Sequence, residues 1–508
     1  MRGNWIARTA ILLLFVMMLI TVMQHPVFAA KKPDTAILLT MGDDPSMSIN
    51  ISWHTDENVS LVEYGLFGEP MRRVARGKVI LEPYAEGYRA IVKLTGLKPG
   101  SIYNYRVSLG KDVWSEIRTF KTAPKGPANF TFVVYGDQGI TRNAYRTTDL
   151  VVKLNPDFIL HLGDLANPCI PERFPNCNRT RQNKEIMRWL KIIHPISSIK
   201  QYMITWGDHE YPVDGVHLED YSSRIPLPGN GRWYSFNYGN VHFIAVNTQE
   251  NLTVGSEQYT WLEKDLEQAS KNPEILWKIV FMHKHIYASR TMQVRASSVP
   301  GLREILQPLF HKYGVDLVLQ GHVHVYERTY PISSVDYGEE DRPSNSSNVY
   351  RDPKGQIYVT SGGAGATLFN FTNRLYPWSA FKASVHHVLQ ISIFTNGTLH
   401  LRAIALNGTV FDEIKIIKSM NSTTQTTQSA QTTPTGKNSE PTTTTKSKTE
   451  KSCTTNTPSP TAKLLTSYRP EQQFYAPPQL YLLLAILTTV MIIIAYIKLK
   501  KPNHPEIT

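Results

Sequence analysis

The chain has 508 residues, with 54 Lys and Arg against 42 Asp and Glu, a formal net charge of +12. A length of that order suggests two or three domains. With both ends set aside, residues 30–418 carry 43 basic and 38 acidic side chains, a net +5; so mild an excess gives no reason to expect a nucleic-acid partner, though it suits steering of anions.

Taken in chain order, Arg2 and Arg8 come first, then an apolar run over 10–22 that exits through Val27-Phe28-Ala29. A positive start, a short apolar stretch and a small residue at its exit predict a secretory signal over residues 1–29. Residues 30–124 read as all-β. Segments 48–53 and 88–94 alternate, 62–65 ends in a Gly, and Leu97-Lys98-Pro99-Gly100 precedes an alternating Tyr-rich strand. A turn of that kind before such a strand resembles fibronectin type III sandwiches. No catalytic residue type clusters there, so the region reads as a structural spacer rather than an active-site wall or a sugar-binding module.

From 125 to 418 strands alternate with helices. Strands are expected at 130–135, 158–162, 203–206, 277–282, 357–361 and 388–394, and helices at 147–154, 184–193, 258–269 and 302–312. A hairpin is expected over 233–249, with Tyr238-Gly239-Asn240 at its turn. This order predicts an α/β domain of two packed mixed sheets flanked by helices. Residues 419–479 read as a stalk: 22 of the 42 residues from 421 to 462 are Ser or Thr, a composition that cannot bury a core and suits O-glycosylation. Residues 480–497 are apolar and uncharged, and Lys498, Lys500 and Lys501 follow at once. That predicts a single transmembrane helix with a cytoplasmic tail at 498–508 and the body of the protein at the cell surface.

Three cysteines fit that compartment. Cys169 and Cys177 bracket a short loop that a disulfide could close, and Cys453 in the stalk is either a free thiol or an intermolecular link. Glycosylation triplets begin at Asn50, Asn58, Asn129, Asn178, Asn251, Asn345, Asn370, Asn396, Asn407 and Asn421, a number that suits an exported glycoprotein.

Five apolar runs in the α/β region deliver Asp or His at their C-terminal ends. They finish in Asp137-Gln138-Gly139, Gly163-Asp164-Leu165-Ala166-Asn167, Gly207-Asp208-His209-Glu210, Val280-Phe281-Met282-His283 and Gly321-His322-Val323-His324. Open α/β folds place ligands at that end of the sheet. Imidazole and carboxylate together suit iron, manganese or zinc. A lone strand-end Asp is often a helix cap, and a lone His is usually a core or surface residue; five such ends together build a metal cluster. His161, His194, His242, His386 and His387 lack this context and read as core or surface residues.

In this order, over about residues 35–418, the motifs resemble those of the calcineurin-like metallophosphoesterases and, within them, the purple acid phosphatases. The resemblance implies a four-layer αββα sandwich holding two metal ions. It implies that Asp164 bridges them, with Asp137, His324 and the Asn167 position on the first and Asp208, His283 and His322 on the second. His209 would face the phosphate and protonate the leaving group. Two places depart from the family pattern: Asn167 stands where Tyr is expected, and Asp208 where Asn is expected. The family's tyrosinate favours Fe(III) and gives the purple colour, so its loss points to two divalent ions or to iron held differently. Plant members carry a histidine pair where this chain has Met292 and Gln293; His285, Arg290 and Arg295 lie nearby and are candidates for part of that role, the arginines as phosphate grips.

The expected function is a surface-anchored phosphomonoesterase acting by a metal-activated hydroxide. Its alternatives are a phosphodiesterase or nucleotide-hydrolysing enzyme, and a degenerate surface-binding protein on the same fold. Sequence leaves the substrate and the oligomeric state open.

Overall fold

The computed structural model describes residues 35–419, except 86, 168–177, 212–216, 290, 293–300 and 339–347. The signal, the Cys169–Cys177 pairing, the stalk, the 480–497 segment and Arg290 and Arg295 fall outside the described residues. Among the described residues no helix is long and apolar enough to cross a membrane.

Two sheets form the α/β region. The first runs Val349–Arg351, Val410–Ile417, Thr398–Ala405, His387–Phe394, Phe130–Tyr135, Phe158–His161 and Gln201–Ile204 in spatial order. The second runs Tyr234–Tyr238, Val241–Val246, Trp277–Met282, Leu317–Gln320, Ile357–Ser361, Tyr326–Thr329 and Ser379–Ala383. Alternation along each strand sends successive side chains to opposite faces. Phe132, Val134, Phe158 and Leu160 therefore meet Phe243, Ala245, Ile279, Phe281 and Leu319 between the sheets. Phe132 stacks on Phe158 at 5.1 Å between ring centres, and both meet Phe243 edge-on at 5.2 and 5.4 Å. The opposite residues, Val133, Tyr135, Ile159 and Tyr202, pack under helices Arg142–Leu154 and Arg179–Ser197. On the far side Ile244, Val280, Met282 and Val318 pack under Glu257–Lys271 and Leu302–Lys312. The order is helices, sheet, sheet, helices.

Residues 35–122 form a two-sheet β unit around Trp53, Val92, Tyr103, Tyr105 and Phe120. Leu61–Leu66, Arg73–Arg76, Ile102–Gly110, Val113–Trp114 and Arg118–Lys121 make one of its sheets. Its other sheet is not separate. Leu38–Met41, Ile49–Thr55, Tyr88–Leu94 and Lys78–Leu81 extend the first α/β sheet to 11 strands, joined where Leu39 pairs in parallel with Gln201. The expected spacer is thus continuous with the neighbouring domain. Glu82 sits at this junction at 5% exposure. Its carboxylate lies 2.5 Å from Arg224, 3.6 Å from Arg89 and 2.9 Å from His54 Nδ1. Burial alone would raise that carboxyl; Arg89, His54 and Arg224 overcome it and hold the group down at about 2.

Candidate metal centre

The parallel strands Phe130–Tyr135, Phe158–His161 and Gln201–Ile204 of one sheet and Trp277–Met282 and Leu317–Gln320 of the other end together. The loops that leave them are tied to their neighbours within each sheet, and Gly136 N donates to Ser361 O across the gap between the sheets. Asp137 N donates to Gly163 O at 3.0 Å, and Gly321 N to His283 O at 2.9 Å. Four residues of these loops, Asp137, Asp164, Asn167 and His322, adopt left-handed backbone with φ of 58, 56, 46 and 69°. Such conformations cost energy in most residues and cluster at functional sites. Two glycines allow the close approach: a Cβ on Gly207 would lie 2.2 Å from Asp164 Oδ1, and one on Gly163 would lie 2.6 Å from Gly207 N and 2.8 Å from His283 Nδ1.

The side chains then converge. Asp208 Oδ1 is 2.8 Å from His283 Nε2 and 2.9 Å from His322 Nδ1. Asp164 Oδ1 is 3.4 Å from His283 Nε2 and accepts from His209 N at 3.1 Å, while His209 Nε2 is 3.7 Å from Asp164 Oδ2. Asp137 Oδ2 accepts from His322 N at 2.9 Å, and its Oδ1 is 3.4 Å from His324 Nε2. The outer nitrogens are held too: His283 Nδ1 is 2.7 Å from Leu162 O, and His324 Nδ1 is 2.7 Å from Thr367 O. Such bonds fix ring orientation and leave the other nitrogen for a ligand. Donor atoms fall into three overlapping groups, Asp137-Asp164-His283, Asp164-Asp208-His209 and Asp208-His283-His322.

The electrostatics favour cations. Asp137 and Asp164 are buried at 0 and 1% exposure beside the Asp208 carboxylate. Burial, then Asp208 and Asp137, push the Asp164 carboxyl upward against the pull of His283 and His209. Burial alone would lower His209 and His283; the surrounding carboxylates outweigh it and raise both. Asp137 Oδ1 and Asn167 Oδ1 are buried with no hydrogen-bond partner. Buried, acceptor-only oxygens without donors beside imidazoles fit metal ions.

All seven expected ligand positions lie on these loops, although Asn167 is placed there by its backbone and its orphaned oxygen rather than by a contact. His285 is 1% exposed and its ring stacks on His322 with centres 5.8 Å apart. It therefore packs against the His322 ring as a buried side chain. None of the five histidines read as core or surface joins these donor groups; His161 is buried close to Asp137 and His283, and His242 bridges Asn237 and Asp265. Sequence reading gave Glu210 no role. It is fully buried and accepts from Asp164 N, Leu165 N and Gly207 N at 2.9, 2.8 and 2.8 Å, locking the Asp164 loop. Burial and the Asp164 carboxylate raise it to about 7, against the N–H donors that favour its ionised form. Also missed was the segment after the strand Ile357–Ser361. A Cβ on Gly362 would come 2.8 Å from Asp137 Oδ2, and Phe369 stacks on His324 at 4.1 Å. The Gly-Gly-Ala-Gly run at 362–365, following an apolar strand, was the available signal.

Comparison with known proteins agrees with this geometry. Residues 130–326 match the calcineurin-like phosphoesterase family, and residues 35–122 match the purple acid phosphatase N-terminal domain. Acid phosphatase type 7 of Danio rerio is 29% identical over 415 residues, covering 73% of this chain and 88% of the relative. A relative from Arabidopsis thaliana named "Probable inactive purple acid phosphatase 27" is 27% identical over 459 residues, covering 79% of this chain and 72% of its own. Among solved structures, a purple acid phosphatase from yellow lupin seeds shares the fold with a TM-score of 0.66 at 24% identity, covering 75% of this chain and 74% of the lupin chain.

Proposed function

The chain is a purple acid phosphatase-like member of the calcineurin-like metallophosphoesterases, and from that premise we propose that it is a cell-surface enzyme hydrolysing phosphomonoesters at a dinuclear centre. The observation that carries this reading is the set of three overlapping donor groups, in which Asp164, Asp208 and His283 each belong to two. Asp137, His324 and Asn167 would hold the first metal, and Asp208, His283 and His322 the second. Bound there, two metal ions would supply Lewis acidity toward the phosphate and a water acidic enough to attack it.

The chain's own residues supply the rest. His209 is partly exposed, at 32% of its side chain. Its Nε2 lies 3.7 Å from Asp164 Oδ2, where a protonated imidazole could give its proton to a leaving-group oxygen. His285 supports this site by packing against the His322 ring. Arg290 and Arg295 remain candidates to grip phosphate. Three carboxylates and a neutral amide favour divalent iron, manganese or zinc over a trivalent ion.

The membrane reading rests on the signal and on 480–497. The fold closes at Ser419, whose N and Oγ bond to Asp352. A chain ending there should leave cells as a soluble enzyme, and retention in the membrane fraction would contradict the anchor. Purified 30–419, loaded with Mn, Zn or Fe, should hydrolyse a generic aryl phosphate faster than its diester and carry about two metals. Preference for the diester selects the phosphodiesterase reading. No hydrolysis with any metal selects the degenerate reading; the Arabidopsis relative is named probable inactive.

A further inference from the structure

We propose that Asn370 carries an N-linked oligosaccharide that stands at the mouth of the metal centre and limits the size of substrate that can enter. This rests on the reading of the chain as exported. The triplet Asn370-Phe371-Thr372 directly follows Phe369, a residue in contact with His324. Asn370 itself is exposed. Its neighbour Phe369 stacks on His324 with ring centres 4.1 Å apart, and Phe369 N donates to His324 O at 3.1 Å. Asn370 O accepts from Met292 N at 2.9 Å, and Phe369 O accepts from Ser384 Oγ at 2.7 Å. The backbone at Asn370 is therefore fixed one residue from the contact with His324, so anything attached to this side chain is anchored next to the site.

Burial discriminates between triplets that sequence treats alike. Asn50 also heads one, but it is 8% exposed, and its Nδ2 donates to Met41 O and Pro226 O at 3.2 and 3.0 Å; it cannot receive a sugar in the folded protein. At Asn370, Nδ2 would displace the lipid diphosphate from the anomeric carbon of a lipid-linked oligosaccharide. The carbon–nitrogen bond forms, the carbon–oxygen bond breaks, and Nδ2 loses one proton. The product is bulky and confined to the surface. Asn396 is the natural control. It follows the strand His387–Phe394, which pairs antiparallel with Phe130–Tyr135 so that Ile393 lies opposite Phe130, at the end of the sheet away from Asp137.

The test uses the full chain expressed in a secretory host, with occupancy read at each triplet by mass spectrometry after enzymatic deglycosylation. Asn370 should be occupied and Asn50 empty. Asn370→Gln and Thr372→Ala should each raise kcat/KM toward phosphorylated casein roughly fivefold by widening productive approach. Both should leave a small aryl phosphate unchanged, and Thr372→Ser and Asn396→Gln should change neither. Occupancy at Asn129 and Asn396 with Asn370 empty overturns the proposal while export stands. No occupancy anywhere overturns the export reading and this one with it. Occupancy at Asn370 with an unchanged ratio of the two substrates overturns the size limit.

Discussion

Asp164 and His209 touch each other, yet removing them should have different consequences. Asp164→Asn takes away a carboxylate that belongs to two of the three donor groups, so it should abolish hydrolysis and lower metal content in elemental analysis. His209→Ala should keep both metals and lower kcat about 10²-fold, the scale of one lost acid–base group. A general acid acts while protonated, so activity should decline on the alkaline side, and that decline should vanish in His209→Ala. Equal metal loss in both variants would make His209 a ligand. Asn167 sets a third expectation. An amide offers no phenolate to a trivalent ion, so the iron-loaded protein should show no intense visible band, and Asn167→Tyr should create one. Tyr135 and Tyr202 cannot substitute, since their hydroxyls bond each other at 2.7 Å, and Tyr211 donates to Glu250. A band in the unaltered protein would implicate Tyr221, whose buried hydroxyl has no partner.

At the level of elements, the ionic junction between the β unit and the loop after Asp208 makes a prediction about acid stability. Glu82 has a folded pKa of about 2 against an ordinary 4.5. A depressed carboxyl contributes stability that is present above 4.5 and is lost as pH falls toward 2; the difference is worth roughly 3 kcal/mol. Glu82→Gln should lower stability at neutral pH by that order and flatten the loss between pH 4.5 and 2 in denaturant titrations; an unchanged acid profile would assign the loss to other carboxylates. This junction was invisible in sequence, because nothing near Glu82 marks Arg89 and Arg224 as its neighbours. Periodic elements were legible: Phe130–Tyr135, Trp277–Met282 and Leu302–Lys312 have the boundaries that their apolar patterns predict. Helix Arg179–Ser197 begins earlier than expected, since Asn178 caps it by accepting from Arg181 N and its first turn is polar. The late hairpin Thr398–Ala405 with Val410–Ile417 went unread, although its Asn407-Gly408 turn signals one. The ligand types were legible because metal chemistry restricts them. Glu210 was not, since it acts on backbone N–H groups that sequence does not display.

On the scale of the whole molecule, the 11-stranded sheet decides whether the β unit is an accessory or part of the enzyme's foundation. Its strand Leu38–Met41 covers the edge of Gln201–Ile204, the strand that leads to Asp208. Polar contacts reinforce the join. Tyr105 Oη donates to Ser198 O at 2.6 Å, Ser197 Oγ to Ile37 O at 2.8 Å, and Gln201 Nε2 to Lys121 O at 2.7 Å. Ser52 Oγ donates to Arg224 O at 2.6 Å and Asn50 Nδ2 to Pro226 O at 3.0 Å. At a net of about 1 kcal/mol each, these bonds alone approach the roughly 5–15 kcal/mol by which a folded domain is stable. Removing residues 30–124 would also bare an open strand edge, which invites pairing with other chains, and would leave Arg224 without Glu82. Residues 125–419 alone should therefore be insoluble or lack the metal centre, and 30–419 should unfold in a single calorimetric transition. Two separate transitions, or a soluble 125–419 fragment that binds two metals, would show that the β unit is a detachable module despite the shared sheet.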